Sequence, residues 1–164
     1  MAVWYLDTSA AFKLLLRERE SADLIAAISA DRPTLVSSYL LETELRRAAN
    51  RVGTLSQRQV TNLLDRVGLY ELTPAMHTQA GLLPGVNLRS LDALHLATAI
   101  SVGVDALAAY DLRLIEAARA MGRTIIVVLH DINFAARYAD YICAMKDGEV
   151  AEFGTQLFHF GLPS

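Results

Sequence analysis

Short apolar runs alternate along this chain with longer stretches in which apolar residues recur every three or four positions. The opening VWYLD is an apolar and aromatic run ending in an acid, and Thr8 and Ser9 behind it are good N-cap residues, so a strand followed by a helix is predicted. Residues 10–16 and 21–30 read as two helices, and Pro33 breaks the pattern ahead of the strand-like TLVS. Between Ser38 and Val52, Leu41, Leu45, Ala48 and Ala49 follow i, i+4, i+7, i+8 spacing, which predicts an amphipathic helix stopped at Gly53. Ser56 opens another helix through Val67, LYEL is a short strand, and a helix beginning near Pro74 closes at Pro84 and Gly85. Ser90 can cap the helix LDALHLATAISV, which ends at Gly103. DALAAY is strand-like, Asp111 can cap the helix LRLIEAARAM, which ends at Gly122, and TIIVVL is a buried-type strand.

Short strands alternating with helices predict an α/β fold: a central parallel sheet with helices on both faces. In such sheets ligands collect outside the carboxyl ends of the strands, and Asp7 and Asp111 fall at two of those ends.

Composition narrows the classes without choosing a chemistry. A chain of 164 residues, 53% hydrophobic and 20% charged, suits a globular domain of ordinary size rather than a disordered segment. No apolar stretch approaches the roughly 18 residues of a membrane span, and the start lacks the basic region of a signal peptide, so a soluble cytoplasmic protein with no membrane partner is expected. Cys143 is alone, which rules out an internal disulfide and a cysteine-type zinc cluster; a bound metal would be held by oxygen ligands. The net charge is −3, yet of 15 basic and 18 acidic residues, 13 of each lie up to Arg123, leaving 2 and 5 in the tail. Arg46, Arg47, Arg51 and Arg58 form a basic cluster suited to phosphate, although a solvated helix face gives the same pattern.

Four acids stand out by position: Asp7, Glu44, Asp92 and Asp111. Each has a plain explanation, Asp7 and Asp111 as caps, Asp92 as a first-turn acid and Glu44 as a solvent-facing helix residue. Gathered at one sheet edge they are costly, because two unit charges about 4 Å apart repel by roughly 4 kcal/mol at an effective dielectric near 20. A divalent cation removes that penalty, and carboxylates with open water positions suit Mg2+ or Mn2+. Phosphodiester hydrolysis is the reaction such a site supports.

LDTSA at 6–10, ETELRRA at 42–48, SLDALHLATA at 90–99 and AYDLRLIEAA at 109–118 resemble, in order and spacing, the four acidic motifs of PIN-domain ribonucleases of the VapC toxin type. The resemblance covers about residues 1–128. It implies a three-layer α/β/α sandwich and a Mg2+- or Mn2+-dependent endoribonuclease, the toxin of a type II toxin–antitoxin pair, neutralised by a VapB-like antitoxin and forming a homodimer. It implies catalytic and metal-binding roles for Asp7, Glu44, Asp92 and Asp111, with Thr8 or Ser9 beside the metal. Glu42 is the rival to Glu44, but two positions apart on a helix they face different ways, and Glu44 is the acid followed by Leu-Arg-Arg. Arg46, Arg47, Arg51 and Arg113 are then candidate contacts to the RNA backbone, with antitoxin recognition or solubility as competing roles. His95, one turn from Asp92, could face the site or be a packed, hydrogen-bonded core histidine. His77 reads as surface, and Trp4, Tyr5 and Phe12 as core.

Toxins of this type usually end soon after the strand matching TIIVVL, whereas this chain continues for more than thirty residues. The segment from Gly122 to Thr155 is similar to the C-terminal part of ABC-transporter ATPases of the iron–siderophore uptake type, in which the histidine matching His130 belongs to the loop that senses the nucleotide γ-phosphate. The chain holds no GxxxxGK[ST] phosphate loop and no LSGGQ-like signature, so no nucleotide-binding residue is assigned. The tail is read as a structural extension over 129–164, with a helix INFAARYADY and a hairpin of ICAMK and EVAEF turning at Asp147-Gly148. Its apolar content suggests packing against the sheet edge or a second protomer. A chimera or binding module whose tail alters assembly or site access is the alternative to an active nuclease.

Overall fold

The computed structural model describes residues 1–18, 21–123, 125, 126, 141–146 and 149–155. Strand β1 (Val3–Leu6) lies at the centre of a five-stranded parallel sheet, flanked by β2 (Thr34–Ser38) and β4 (Ala106–Ala108), with β3 (Gly68–Tyr70) beyond β2 and β5 (Ile125–Ile126) beyond β4. Register aligns Tyr5 with Val36 on one side and with Leu107 on the other. Strand alternation then divides β1 between two cores. Tyr5 joins Val36, Leu96, Leu107, Leu114 and Ile115, while Leu6 joins Ala10, Leu41, Leu45, Val60 and Ala108.

Helices α1 (Thr8–Leu15), α2 (Ser21–Asp31), α3 (Tyr39–Arg51) and α4 (Gln57–Leu64) cover the Leu6 face; α6 (Ser90–Val102) and α7 (Leu112–Ala120) cover the Tyr5 face. Helix α5 (Pro74–Leu82) packs on α6 through Ala80 against Ala93 and Ala97. The three layers are those expected. The periodic residues of α3, Leu41, Leu45, Ala48 and Ala49, are the ones it buries. Ser56 closes a capping box with Gln59 at the start of α4. Gly103 and Gly122 sit at φ 72° and 66°, a left-handed region that favours glycine, as they end α6 and α7.

Local expectations shift in several places. Of the cap candidates at the start of α1, Asp7 takes the role ahead of Thr8 and Ser9, its carboxylate accepting from the Ala10 amide, because a carboxylate at the strand end reaches the first turn itself. Ser90 does not cap α6: Arg89 occupies the cap position, and the carboxylate of Asp92 turns back to the Arg89 amide. Helix α4 stops at Leu64 rather than Val67. Beyond the main sheet, β6 (Tyr141–Lys146) and β7 (Glu149–Thr155) form the expected antiparallel hairpin as a sheet of their own. Tyr141, expected to end a helix, begins β6 instead. The rest of that helix, residues 127–129 of TIIVVL, His130 and the Asp147-Gly148 turn lie outside the described residues. No helix among the described residues is long and apolar enough to cross a membrane.

Leu45 is fully buried beneath α1 and α4, so Leu45→Ala should lower unfolding free energy by about 2–5 kcal/mol, read from urea melts.

Candidate functional site

The carboxyl ends of β1 and β4 adjoin one another, the Asp7 amide donating to the Ala108 carbonyl at 3.2 Å. Asp7 is 3% exposed. Its Oδ1 accepts from the Ala10 amide at 2.8 Å, and the Ser9 hydroxyl lies 2.8 Å from each carboxylate oxygen. Ser9 also accepts from the amides of Tyr110 at 2.7 Å and Asp111 at 3.3 Å, so one hydroxyl ties the end of β1 to the loop after β4. That loop presents Asp111, which caps α7 through the Arg113 amide at 2.9 Å and pairs with the Arg113 guanidinium at 3.3 Å.

The other two acids arrive from helices. Glu44 Oε2 accepts from His95 Nε2 at 2.7 Å and from the Thr8 hydroxyl at 2.5 Å, which joins α3, α6 and α1 over the strand ends. Glu42 instead takes a hydrogen bond from Arg46 at 2.8 Å. On α6, Asp92 lies one turn before His95, and its Oδ2 is buried with no hydrogen-bond partner among the described residues. His95 is itself buried and hydrogen-bonded, so both descriptions weighed for it hold together.

These environments set the four acids apart. Burial pushes the Asp7 carboxyl up to about 6, against the lowering effect of the Ala10 amide and nearby His95. Asp92 is raised by burial and then by the charge of Asp111. Burial would also raise Glu44, but hydrogen bonds from His95 and Thr8 outweigh it and hold the group below its usual value. Asp111 is likewise held down: burial is the largest single influence and would raise it, but the side-chain and backbone hydrogen bonds and the charge of Arg113 together outweigh it.

Among the described residues no group of three or more His, Cys, Asp or Glu side chains is placed, as the side chains stand, to hold a metal ion. Asp7, Glu44 and Asp111 instead turn toward Ser9, Thr8 with His95, and Arg113. The donor set still fits a hard divalent ion: oxygen ligands only, one of them a buried, unpartnered carboxylate oxygen beside a second acid.

Of the arginines, Arg47 and Arg51 are exposed on α3. Arg46 is bound to Glu42 and reaches Gln57 and Thr61 on α4, and Arg113 is paired with Asp111. His77 is exposed, while Trp4 and Tyr5 are buried and Phe12 packs partly buried against the core. The Ser9 bridge and the Tyr5–His95 contact escaped the sequence reading, since they join residues 101 and 90 positions apart.

A family model described as PIN domain matches residues 4–120. Ribonuclease VapC35 of Mycobacterium tuberculosis is 40% identical over 128 residues, covering 74% of this chain and 94% of that protein. The petrobactin import ATP-binding protein FatE of Bacillus anthracis is 68% identical over 40 residues, 24% of this chain and 16% of that protein. Among solved structures, VapBC2 from Rickettsia felis bound to a promoter DNA fragment superposes with a TM-score of 0.57 at 16% identity, over 76% of this chain and 97% of that one.

Asp7 gives the pH prediction. A carboxyl at about 6 when folded and near 3.8 when unfolded binds its proton more tightly in the native state, so its contribution to stability falls as pH rises from 4 through 6. At neutral pH in a chelator the loss is about 3 kcal/mol. Asp7→Asn should melt higher than the native protein at pH 7.5 and flatten the dependence between pH 4 and 6, measured by calorimetry in EDTA.

Proposed function

The chain belongs to the PIN-domain family, and on that premise we propose that it is a Mg2+- or Mn2+-dependent endoribonuclease, the toxin of a toxin–antitoxin pair. The observation that carries the reading is the buried, unpartnered Oδ2 of Asp92 beside Asp111, at the edge where Asp7 and Glu44 also arrive. Asp7, Glu44, Asp92 and Asp111 would hold the cation. When bound, it would supply an acidified water for attack and offset charge on the scissile phosphate.

The protein's own groups have separable tasks in this reading. Glu44 and Asp111 are held ionised by their donors and are ready as ligands, whereas Asp7 and Asp92, raised by burial, gain most from a neighbouring positive charge. Thr8 and Ser9 orient the carboxylates of Glu44 and Asp7. Arg47 and Arg51 are the arginines placed to meet RNA phosphates; Arg46 and Arg113 act first through Glu42 and Asp111. A VapB-like antitoxin partner accompanies the proposal, supported by the superposed VapBC2 structure from Rickettsia felis, and a homodimer and a cytoplasmic setting are proposed with it. We assign the nuclease unit to residues 1–128 and regard 129–164 as an appended extension whose likeness to a 40-residue stretch of an import ATPase brings no ATPase role.

RNA cleavage should require Mg2+ or Mn2+ and stop with EDTA, and Asp92→Asn should slow it by about a hundredfold or more while the melting temperature is retained. An unchanged rate in that variant would overturn the assignment. Replacing Arg47 and Arg51 together by Ala should weaken RNA binding across sequences and reduce the salt slope by about 1 per arginine, read by titration at several ionic strengths.

A further inference from the structure

Behind Glu44 runs a buried polar column. His95 is 2% exposed and Tyr5 fully enclosed, yet their polar atoms stand in series. Glu44 Oε2 accepts from His95 Nε2 at 2.7 Å, His95 Nδ1 lies 2.9 Å from the Tyr5 hydroxyl, and that hydroxyl lies 3.2 Å from Ser38 Oγ. The two rings meet edge to face at 5.7 Å. With Nε2 carrying the hydrogen that faces the carboxylate, Nδ1 is left to accept the single hydrogen of the Tyr5 hydroxyl at the shorter contact, and the Ser38 hydroxyl then donates to the Tyr5 oxygen. Turning the imidazole over would put carbon where each nitrogen now bonds, so Tyr5 fixes the ring and the ring fixes the carboxylate. Both donors to Glu44, Thr8 and His95, converge on Oε2, which leaves Oε1 for another partner.

We propose that His95, locked by Tyr5, is a positioning residue that holds Glu44 Oε2 from behind so that Oε1 is presented to the divalent cation of the acidic edge. A core histidine present only for packing would not need both ring nitrogens directed at polar groups on two other elements, one of them an acid of the site. Outer partners that orient a ligand in this way act on metal affinity rather than on fold alone. The inference rests on the metal-nuclease reading above.

The test is Mn2+ binding to the full chain, followed by electron paramagnetic resonance, with RNA cleavage and metal-free thermal melts recorded on the same samples. His95→Leu should weaken Mn2+ binding by about 10–100-fold, and His95→Gln, whose amide can place a donor near the Nε2 position, should restore most of it. In a Glu44→Gln background, His95→Leu should change Mn2+ affinity by less than about twofold, because the group it acts through is already altered. Equal losses in both backgrounds, or no loss in either, would overturn the proposal. If His95→Leu does not fold, Tyr5→Phe removes only the hydroxyl that locks the ring; it should weaken Mn2+ binding about tenfold, again only when Glu44 is intact. Native protein that neither binds Mn2+ nor cleaves RNA would remove the nuclease reading and this inference with it, whereas binding and cleavage without the coupling would remove this inference alone.

Discussion

A carboxylate at the end of the middle strand of a parallel sheet has sheet on both sides and helices above and below, so it must find its donors within the protein. Asp7 finds them in Ser9 and the first turn of α1. Much of the local design follows: the strand must end where its acid can cap the next helix, and residue 9 must carry a hydroxyl. Because that hydroxyl also accepts from the Tyr110 and Asp111 amides, satisfying Asp7 fixes the loop that presents the last acid. A local solvation requirement becomes a long-range geometric one.

The four acids at this edge do not hold their protons equally tightly. Glu44 and Asp111 are each met by strong donors and stay ionised, while Asp7 and Asp92 are shifted toward their protonated forms. As pH falls toward 6 the raised pair takes up protons first, which eases repulsion along the edge, since each pair of full charges at close range costs several kcal/mol. The split also leaves the raised pair most responsive to an incoming cation.

The layers and most helix ends were readable from the chain because each is a local matter. Apolar spacing in α3 named the residues that it buries, and glycines at 103 and 122 supplied the left-handed turns that end α6 and α7. The four acids could be named by position and motif as well. Their partners could not, since Ser9 with Tyr110, Thr8 with Glu44 and Tyr5 with His95 meet only after β1 is inserted between β2 and β4. The caps at Thr8 and Ser90 were displaced differently: the Asp7 carboxylate took the Ala10 amide ahead of Thr8, whereas the cap of α6 falls one residue early, at Arg89, with Asp92 reaching back to the Arg89 amide. The arginine patch divides likewise, because side-chain pairing with Glu42 and Asp111 depends on rotamers that sequence spacing does not reveal.

The strand order β3-β2-β1-β4-β5 has a consequence for synthesis. A ribosome delivers Asp7 and Glu44 early, but the central strand lacks its second neighbour until β4 emerges, and the Ser9 bridge cannot close until Tyr110 and Asp111 follow. Until about residue 111, a nascent chain holds half an edge. Whatever chemistry the completed edge performs therefore cannot begin on a nascent chain before the fourth acid is made and its strand inserted, by topology alone and with no inhibitor present.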